Sequence, residues 1–428
     1  MTMPEQKKAV IPRLRFPEFR DAGPWEVKRL GEVCDVLQGY GFPHRFQGKQ
    51  RGKYPFCKVS DVTRAVVENG GHITSAANYI DEEDLLALRA QPLPPGTTIF
   101  ARIGEALRSN NRAITDVSCV IDNNVCGLKA LQDIAIDYFV FCLAQRIDLN
   151  EHCGGAVPSV NKTTIESIKV AIPGAGEQQK IAECLSSLDE VIELEAKQLE
   201  ALQAHKKGLM QQLFPREGET TPRLRFPEFR DAGPWEMKRL GDLATRIAEK
   251  VGSRRLIPVS ISAGIGFVSQ KEKFGRDISG RQYQNYIRLK KWQFSYNKGH
   301  SKAFPQGAVY QLREFDEAAV PKAFYSFEFK SNYVPEFFIG YFASNFHGTQ
   351  LAKFVTSSAR SDGLLNISAD DFFSIMLPTP RDTKEQQKIA DCLSSLDELI
   401  ELQAKQLEAL QAHKKGLMQQ LFPQEIDL

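Results

Sequence analysis

The chain repeats itself, and this duplication constrains its architecture more than any other feature of the sequence. The stretch PRLRFPEFRDAGPWE opens the first copy near the amino terminus and returns unchanged in the middle of the chain. A second stretch, which begins EQQKIA in both copies, returns with three substitutions in 39 positions. The shared segments are 12–31 with 222–241, and 177–215 with 385–423. Two copies are too few for a solenoid, so we expect two related domains.

The residues between the shared segments have similar lengths but almost no alignable sequence. Each copy therefore resembles a constant frame that holds an exchangeable insert. The predicted division is an N-terminal frame segment at 1–31, a first variable domain at 32–176, a long helix at 177–215, a linker with the repeated frame segment at 216–241, a second variable domain at 242–384, and a second long helix with a tail at 385–428.

Composition sets outer limits on the class of protein. The 428 residues are 42% hydrophobic and 25% charged, which is typical of a globular protein of two or three domains. No stretch approaches the length of a membrane span, and the first residues lack a signal-peptide core, so we expect a cytoplasmic protein. None of the eight cysteines has the C-x-x-C spacing of a zinc site. We expect reduced thiols and no bound metal.

A heptad pattern runs through both copies of the EQQKIA segment and predicts a long helix from Glu177 to Leu213, with an equivalent helix in the second copy. The alternative is that the helices are unrelated and that each packs on its own domain. The apolar heptad residues form a long and narrow stripe, or seam, along each helix, and such a seam favours pairing of the two helices. The predicted pairing residues are Ile181, Leu185, Leu188, Ile192, Leu199, Leu202, Leu209, Leu213, Ile389, Leu393, Leu396, Ile400, Leu407, Leu410, Leu417 and Leu421.

The connection between the helices favours an antiparallel pair. In a parallel pair, the chain after Phe214 would have to extend back along the whole length of the helix before the second domain begins. In an antiparallel pair, the end of the first helix already lies beside the start of the second. The polar seam residues Glu195 and Gln403 would then meet near the centre of the pair and fix its register. A tolerated polar defect is the alternative reading of these two residues.

The inserts contain short apolar runs separated by glycine, proline and asparagine, such as GTTIFARIG and AFYSFEF. This pattern predicts short strands with turns and few helices. The predicted fold class is α+β, with two globular domains at opposite ends of an antiparallel pair of long helices and a pseudo-two-fold relation between them.

Basic residues cluster in both inserts, although the whole chain has a formal charge of only +2. Residues 246–302 contain thirteen lysines and arginines against three acids, with aromatic residues interleaved, and residues 45–64 contain six against one. Clusters of this kind indicate nucleic-acid binding, although any single residue could be an ordinary solvated charge.

Polar loops in each insert offer arginine and asparagine, the side chains that recognise guanine and adenine edges. Asn110 and Asn111 are also common turn formers, and both readings stay open. The residues assigned to DNA binding are Arg45, Lys49, Arg51, Lys53, Lys58, Arg102, Arg108, Asn110, Asn111, Arg112, Asn161, Lys162, Arg254, Arg255, Lys271, Lys273, Lys298, His300, Lys302, Arg360 and Asp362.

The two-copy plan, the EQQKIA helices and the stretches PWEVKRLGEV, GTTIFARIG and PSVNKTTIESIKVAIP resemble the specificity subunits of type I restriction–modification systems. The resemblance covers nearly the whole chain. It implies that each insert is a target recognition domain for one half of a split DNA sequence and that the helices act as a ruler. It also implies that the subunit binds two methyltransferase subunits and, in the full complex, two restriction subunits.

The sequence contains no N/D-P-P-Y/F methyltransferase tetrapeptide and no Walker-type phosphate loop, so we expect a non-catalytic subunit with no cofactor of its own. The resemblance implies that S-adenosylmethionine, ATP and magnesium belong to the partner subunits. Three alternatives remain: a methyltransferase with unrecognised motifs, a scaffold whose inserts bind proteins, and an orphan specificity subunit that serves another system.

Overall fold

The computed structural model describes residues 10–154, 157–262, 264–299, 301–302, 304–355 and 364–423. The chain divides into two compact units, one made of Met1–Gln198 with Gln403–Leu428 and the other made of Leu199–Leu402. Each long helix therefore begins in one unit and ends in the other. The predicted division into six segments stays a prediction.

The first unit is built from short strands and helices, with one very long helix. Its strands are β1 (Glu26–Arg29), β2 (Cys34–Gln38), β3 (Tyr54–Cys57), β4 (His72–Ile73), β5 (Tyr79–Ile80), β6 (Thr98–Ala101), β7 (Ala113–Thr115), β8 (Val120–Ile121), β9 (Val125–Ala130) and β10 (Lys169–Ile172). Its helices are α1 (Val59–Glu68), α2 (Glu82–Leu88), α3 (Glu105–Arg108), α4 (Asp137–Arg146), α5 (Lys162–Ser167) and the first half of α6 (Ala175–Leu213).

The strands of the first unit form three sheets. A five-stranded sheet has the order β2-β9-β6-β7-β4, a three-stranded sheet has the order β5-β3-β8, and β1 pairs with β10 in antiparallel register. Helix α4 packs on the larger sheet with its residues Phe139–Ala144 all buried. A helix that is apolar over most of its circumference is stable only inside a core, which explains the position of α4.

The second unit repeats this plan with different strands. Its strands are β11 (Glu236–Arg239), β12 (Ala244–Arg246), β13 (Ile257–Ser262), β14 (Gly266–Ser269), β15 (Ile287–Lys290), β16 (Phe294–Asn297), β17 (Ala308–Gln311), β18 (Glu317–Val320), β19 (Tyr325–Phe329) and β20 (Met376–Thr379). Its helices are α7 (Leu240–Leu243), α8 (Gln270–Phe274), α9 (Pro335–Ala343), α10 (Phe346–Ala352), α11 (Ala369–Phe373) and the first half of α12 (Thr383–Leu421).

Two four-stranded sheets, β12-β19-β16-β17 and β14-β13-β18-β15, form the body of the second unit, and β11 pairs with β20 as β1 pairs with β10. Its core is rich in aromatic side chains. Phe329 stacks on Phe338 with ring centroids 4.0 Å apart, and Tyr296 stacks on Phe372 at 4.3 Å. The mixture of helices and mainly antiparallel sheets, in which β3–β8, β4–β7 and β13–β18 pair in parallel, confirms the predicted α+β class.

Helices α6 and α12 pair in antiparallel orientation, as predicted. In the first unit, Lys414 forms an ion pair with Asp189, and the amide of Gln403 donates to the carboxylate of Glu195. In the second unit, Lys206 forms an ion pair with Asp397. Within each unit, the contact points run in opposite directions along the two helices. Helix α6 begins two residues before the predicted start at Glu177.

All sixteen predicted pairing residues are buried or half-buried. The ends of the seam also belong to the domain cores: Ile181 and Leu185 pack with Leu421 in the first unit, and Leu213 packs with Ile389 in the second. The long helices therefore pair with each other near their centres and pack on their own domains near their ends.

The frame segments are attached to the start of each long helix by a buried ion pair. The guanidinium of Arg15 donates two hydrogen bonds to the carboxylate of Glu177, at 2.6 and 2.7 Å. Arg225 and Glu385 repeat the arrangement in the second unit, with both distances 2.7 Å. Because both partners are almost fully buried, each pair fixes the frame segment against its helix. Among the helices of the described ranges, none combines the length and apolar character that crossing a membrane requires.

Candidate nucleic-acid interface

Acids that lie far along the sequence neutralise part of the basic cluster of the first domain. The ammonium of Lys49 lies 2.7 Å from the carboxylate of Asp84, and Lys53 forms an ion pair with Glu82. Hydrogen bonds from these lysines lower the pKa of both carboxyl groups. The acids belong to α2, about thirty residues after the lysines, so a count of charges along the sequence could not include them.

Arg45, Arg51 and Lys58 have no acid within ion-pair distance in the described part of the chain. Arg45 and Lys58 lie over aromatic rings, with the Arg45 guanidinium 4.8 Å from the centroid of Phe46 and the Lys58 ammonium 5.0 Å from that of Phe42. Without a nearby acid, these three cations are the residues of the 45–64 cluster best suited to bind phosphates, and two of them, Arg45 and Lys58, are also held over aromatic rings.

Two residues of the polar loop after β6 serve the fold. Asn110 has a left-handed backbone with φ of 54°, and its side-chain amide donates to the carbonyl oxygen of Ile147 at 3.0 Å. Arg112 is only 4% exposed, and its guanidinium donates to the carbonyl oxygens of Ala144 and Ile147 and to the side chain of Asn110. Burial lowers the pKa of Arg112 to about 10. Asn110 therefore has the backbone conformation and the local hydrogen bonds of a turn former, and the Arg112 guanidinium is directed at backbone carbonyl oxygens of its own domain.

The remaining polar residues of the first domain lie on two adjacent loops. A β-bridge joins Ile103 to Ser159, and the amide of Val160 donates to the carbonyl oxygen of Arg102 at 3.0 Å. The structure thus brings the 102–111 loop beside the loop that contains Asn161 and Lys162. The predicted DNA-binding residues on these two adjacent segments are Arg102, Arg108, Asn111, Asn161 and Lys162.

Each of these side chains except Asn111 has a local contact. Arg102 donates to the carbonyl oxygen of Asn123 at 3.0 Å, and Asn161 caps α5 by accepting from the amide of Thr164. Arg108 and Lys162 form exposed ion pairs with acids of their own short helices. Exposed pairs of this kind contribute little to stability and are easily exchanged for a phosphate partner.

In the second domain, two of the predicted cations are held by the protein. Lys273 donates to the carbonyl oxygen of Ile261 at 2.6 Å, and burial lowers the pKa of its ammonium. Arg254 forms an ion pair with Glu249 at 3.1 Å. Arg255 and Lys271 are exposed and have no acid within ion-pair distance among the described residues.

The loop after β16 meets the segment before α11. Gly299 forms a β-bridge with Leu364, and the ammonium of Lys298 lies 4.9 Å from the ring centroid of Tyr325. Arg246 lies over the same ring at 5.8 Å. Lys302 is exposed at the end of this loop. The other predicted residues of these loops, His300, Arg360 and Asp362, lie outside the described residues.

The sequence could not show which cations were already paired. Arg288, which the sequence counts in the basic region, donates to Glu317 and Glu249, and these hydrogen bonds raise the pKa of its guanidinium. The candidate interface in each domain is therefore a set of loops with a few unpaired cations. It is smaller than the charge count along the sequence indicates.

Two stretches of the chain, residues 23–204 and 233–412, match a family model described as the type I restriction modification DNA specificity domain. The specificity subunit of the type I restriction enzyme MjaVIII from Methanocaldococcus jannaschii is 23% identical over an alignment of 434 residues, which covers 96% of this chain and 94% of that protein. A putative MjaX specificity subunit from the same organism is 24% identical over 421 residues, covering 94% of this chain and 93% of that protein.

The fold also has a solved counterpart. The crystal structure of the S subunit of a type I restriction–modification system from M. genitalium aligns with a TM-score of 0.58 at 14% identity. The alignment covers 96% of this chain and 99% of that one. At this identity the likeness concerns the fold alone.

Proposed function

The chain belongs to the type I restriction–modification DNA specificity family, and from this premise we propose that its two variable domains each read one half of a bipartite DNA target. The two family-domain matches carry this proposal, because each contains one insert between the same constant segments. The constant segments, which include and hold the long helices, have nearly the same sequence in both copies. The loops of the two variable domains, which expose polar side chains, have different sequences. Two readers with different loops recognise two different half-sites.

The paired helices are proposed to set the distance between the half-sites. A helix of 39 residues is about 58 Å long at roughly 1.5 Å per residue. This length is on the scale of one to two turns of DNA at about 34–36 Å per turn.

The proposed partners are two methyltransferase subunits, joined by two restriction subunits in the full complex. Exposed apolar side chains at equivalent positions of the two helices support a partner present in two copies. Leu194 on α6 is 65% exposed and Leu402 on α12 is 64% exposed, and Val191 and Leu399 repeat the pattern one turn earlier. Large exposed apolar side chains that recur in both copies are suited to binding the same protein surface twice.

In this proposal the chain contributes no chemistry. S-adenosylmethionine would be bound by the methyltransferase subunits, which methylate an adenine, and ATP and magnesium would be used by the restriction subunits. The specificity subunit decides which adenine is presented to them.

The proposal is tested by exchanging inserts one at a time. Residues 242–384 are replaced by the insert of a related specificity subunit, and residues 32–176 are replaced in a matched second variant. With the methyltransferase partner present, sequencing of methylated DNA should show one altered half-site in each variant, at opposite ends of the target. A change of both half-sites in either variant, or methylation by the isolated chain, would contradict the proposal.

A further inference from the structure

One tryptophan of the second unit lies on the surface, where it does nothing for the core. Trp292 is 53% exposed, whereas Trp25 and Trp235 are 4% and 3% exposed and belong to the domain cores. Tryptophan is the largest side chain, and leaving half of it in water gives up a large part of its contribution to folding. The position therefore requires an explanation other than packing.

The backbone at Trp292 is strained. Its φ is 73°, in the left-handed region that bulky side chains avoid. The other non-glycine residues with positive φ in the described part of the chain are Arg89, Asn110, Asp133 and Asn345. Asparagine and aspartate tolerate this region, whereas tryptophan does not. A strained residue of this kind persists only where its surroundings impose the conformation, and such residues cluster at functional sites.

Hydrogen bonds impose the conformation here. Trp292 lies in the short turn between β15 and β16, which belong to different sheets. Its amide donates to the carbonyl oxygen of Leu312 at 2.7 Å, and its own carbonyl oxygen accepts from the side chain of Gln311 at 3.1 Å. The preceding amide, of Lys291, donates to the carbonyl oxygen of Asp316 at 2.8 Å. These hydrogen bonds fix the backbone of the turn on both sides of the tryptophan, and with it the point on the surface from which the indole projects.

Two lysines accompany the indole. Lys290 is exposed, and the ammonium of Lys291 lies 5.2 Å from the centroid of the Trp292 ring. The nearest acid to Lys291 is Asp316, at 3.8 Å, with a side chain that is 96% exposed. Such an exposed pair is weak and leaves the lysine able to bind a phosphate. An aromatic face beside lysines is the combination with which proteins stack on the bases of single strands, or on bases that are unstacked in a duplex, and hold the adjoining backbone.

We propose that Trp292 is a DNA-contact residue of the second domain: its indole stacks against a nucleobase at or beside the second half-site, while Lys290 and Lys291 bind adjacent phosphates. This inference rests on the proposed function, because it assigns a contact to one of the two readers. The hydrogen bonds of this turn fix the backbone at Trp292 before DNA arrives, so little backbone freedom is lost on binding.

Intrinsic fluorescence provides a direct test, because the two other tryptophans of the chain are buried. The chain assembled with its methyltransferase partners is titrated with target duplex, with a Trp292→Phe assembly supplying the signal of the partners together with that of the buried Trp25 and Trp235. We expect DNA to quench the emission of Trp292 and to protect it from acrylamide. Quenching by the partner subunits in the absence of DNA would instead identify a protein contact and overturn the proposal.

Substitutions separate a DNA contact from a structural role. Trp292→Ala should weaken target binding about tenfold, the scale of effect expected when one base loses its aromatic stacking partner. Trp292→Phe should retain most of the affinity. Trp292→Gly should weaken binding as much as Trp292→Ala does. Its melting temperature should equal or exceed that of the unaltered chain, because glycine adopts the left-handed backbone without strain.

Phe274→Ala is the matched control, because Phe274 is 44% exposed in the same unit and has Lys273 beside its ring. That variant should bind DNA as the unaltered chain does. If Trp292→Ala binds target DNA with unchanged affinity, or if the glycine variant loses stability in step with affinity, Trp292 is not a DNA contact. An assembly that binds and methylates no DNA with any variant would instead refute the proposed function itself.

Discussion

His347 shows how a single residue of the second unit couples folding to pH. Its ring is fully buried against Tyr296 and Phe342, and Nε2 lies 3.2 Å from the carbonyl oxygen of Gly307. Nδ1 has no hydrogen-bond partner among the described residues. A charged imidazolium in this position would lack a counterion, and burial accordingly lowers the pKa of His347 to about 4.

We predict that His347 destabilises the protein in mild acid. Unfolded chains take up a proton at this residue near pH 6.5, whereas the folded chain resists protonation down to about pH 4, so the free energy of unfolding falls between these values. The loss is on the order of 2–3 kcal/mol. His347→Gln keeps a donor for Gly307 and should flatten the dependence, as measured by urea unfolding from pH 7 to pH 4.

His72 supplies a control of opposite sign. Its hydrogen bond with Asp116 raises the pKa of its imidazole, so its contribution to stability is present in acid and is lost as the pH rises through the folded-state pKa. His72→Gln should therefore leave the acid-induced loss in place or deepen it. Equal slopes for the unaltered chain and His347→Gln would contradict the prediction.

The residue scale is also where prediction from sequence was weakest. The sequence placed Arg112 among DNA contacts because arginine suits guanine edges, but it could not reveal that the guanidinium is buried against the carbonyl oxygens of Ala144 and Ile147. Likewise, the pairing of Lys49 with Asp84 depends on tertiary contacts. Trp292 gave no signal in the sequence, because its exposure and its backbone conformation are properties of the folded turn.

At the scale of elements, the long helices were predicted almost to the residue because their periodicity is strong and occurs twice. The inserts gave only the general character of short strands, since their pairing partners lie far apart in the sequence. Glu195 and Gln403, which are equivalent residues of the two copies, contact each other, with the amide of Gln403 donating to the carboxylate of Glu195. Gln406 also donates to Glu195, at 3.0 Å. The helix segments of the two copies differ at three positions, and the position of Glu195 and Gln403 is the one that lies in this contact between the helices.

We predict that the difference matters for stability. Gln403→Glu would bring two carboxylates together at a position only 8% exposed in the unaltered chain, with loss of the amide donor. The free energy of unfolding should fall by about 1–3 kcal/mol at neutral pH and recover in acid, where one carboxyl group is protonated. Glu195→Gln, which leaves two amides, is the matched variant and should lack this pH dependence. Denaturant unfolding at pH 7 and pH 4.5 distinguishes the two; indistinguishable variants would show that the contact is unimportant.

At the scale of the whole chain, the duplication produces the same contact twice. The first frame segment lies against the end of α12 as the second frame segment lies against the end of α6. In the first unit the amide of Leu14 donates to the carbonyl oxygen of Gln420 at 2.9 Å, and in the second unit Leu224 donates to Gln212 at 3.0 Å. The amides of Trp25 and Trp235 then bind the carbonyl oxygens of Val10 and Thr220 in the same way. The frame segment lies against the end of a long helix in both units, but a short covalent connection, residues 216–221, joins the two only in the second unit.

This equivalence predicts that the order of the segments can be changed without loss of the fold. A chain whose carboxyl end is joined to its amino end by a short flexible linker, and which opens between Glu217 and Gly218, gives up the turn hydrogen bond from the amide of Glu219 to the carbonyl oxygen of Arg216 but can keep those of Leu14, Trp25, Leu224 and Trp235. We expect it to melt within a few degrees of the natural chain and to direct methylation to the same sequence. As a control, opening the chain inside α6, between Leu194 and Glu195, should destroy the fold because it cuts a helix. A permuted chain that directs methylation to a different sequence would show that chain order contributes to recognition.

The contact between Glu195 and Gln403 has a consequence for the history of the gene. Unequal recombination between the two nearly identical helix segments deletes one repeat and leaves a half-length protein that must pair with a second copy of itself. If the crossover retains the codon of Glu195, the two copies bring identical carboxylates together; if it retains that of Gln403, they bring together two amides that can bond to each other. Surviving half-length descendants should therefore carry the glutamine, and the glutamate copy should persist mainly in chains that keep both repeats.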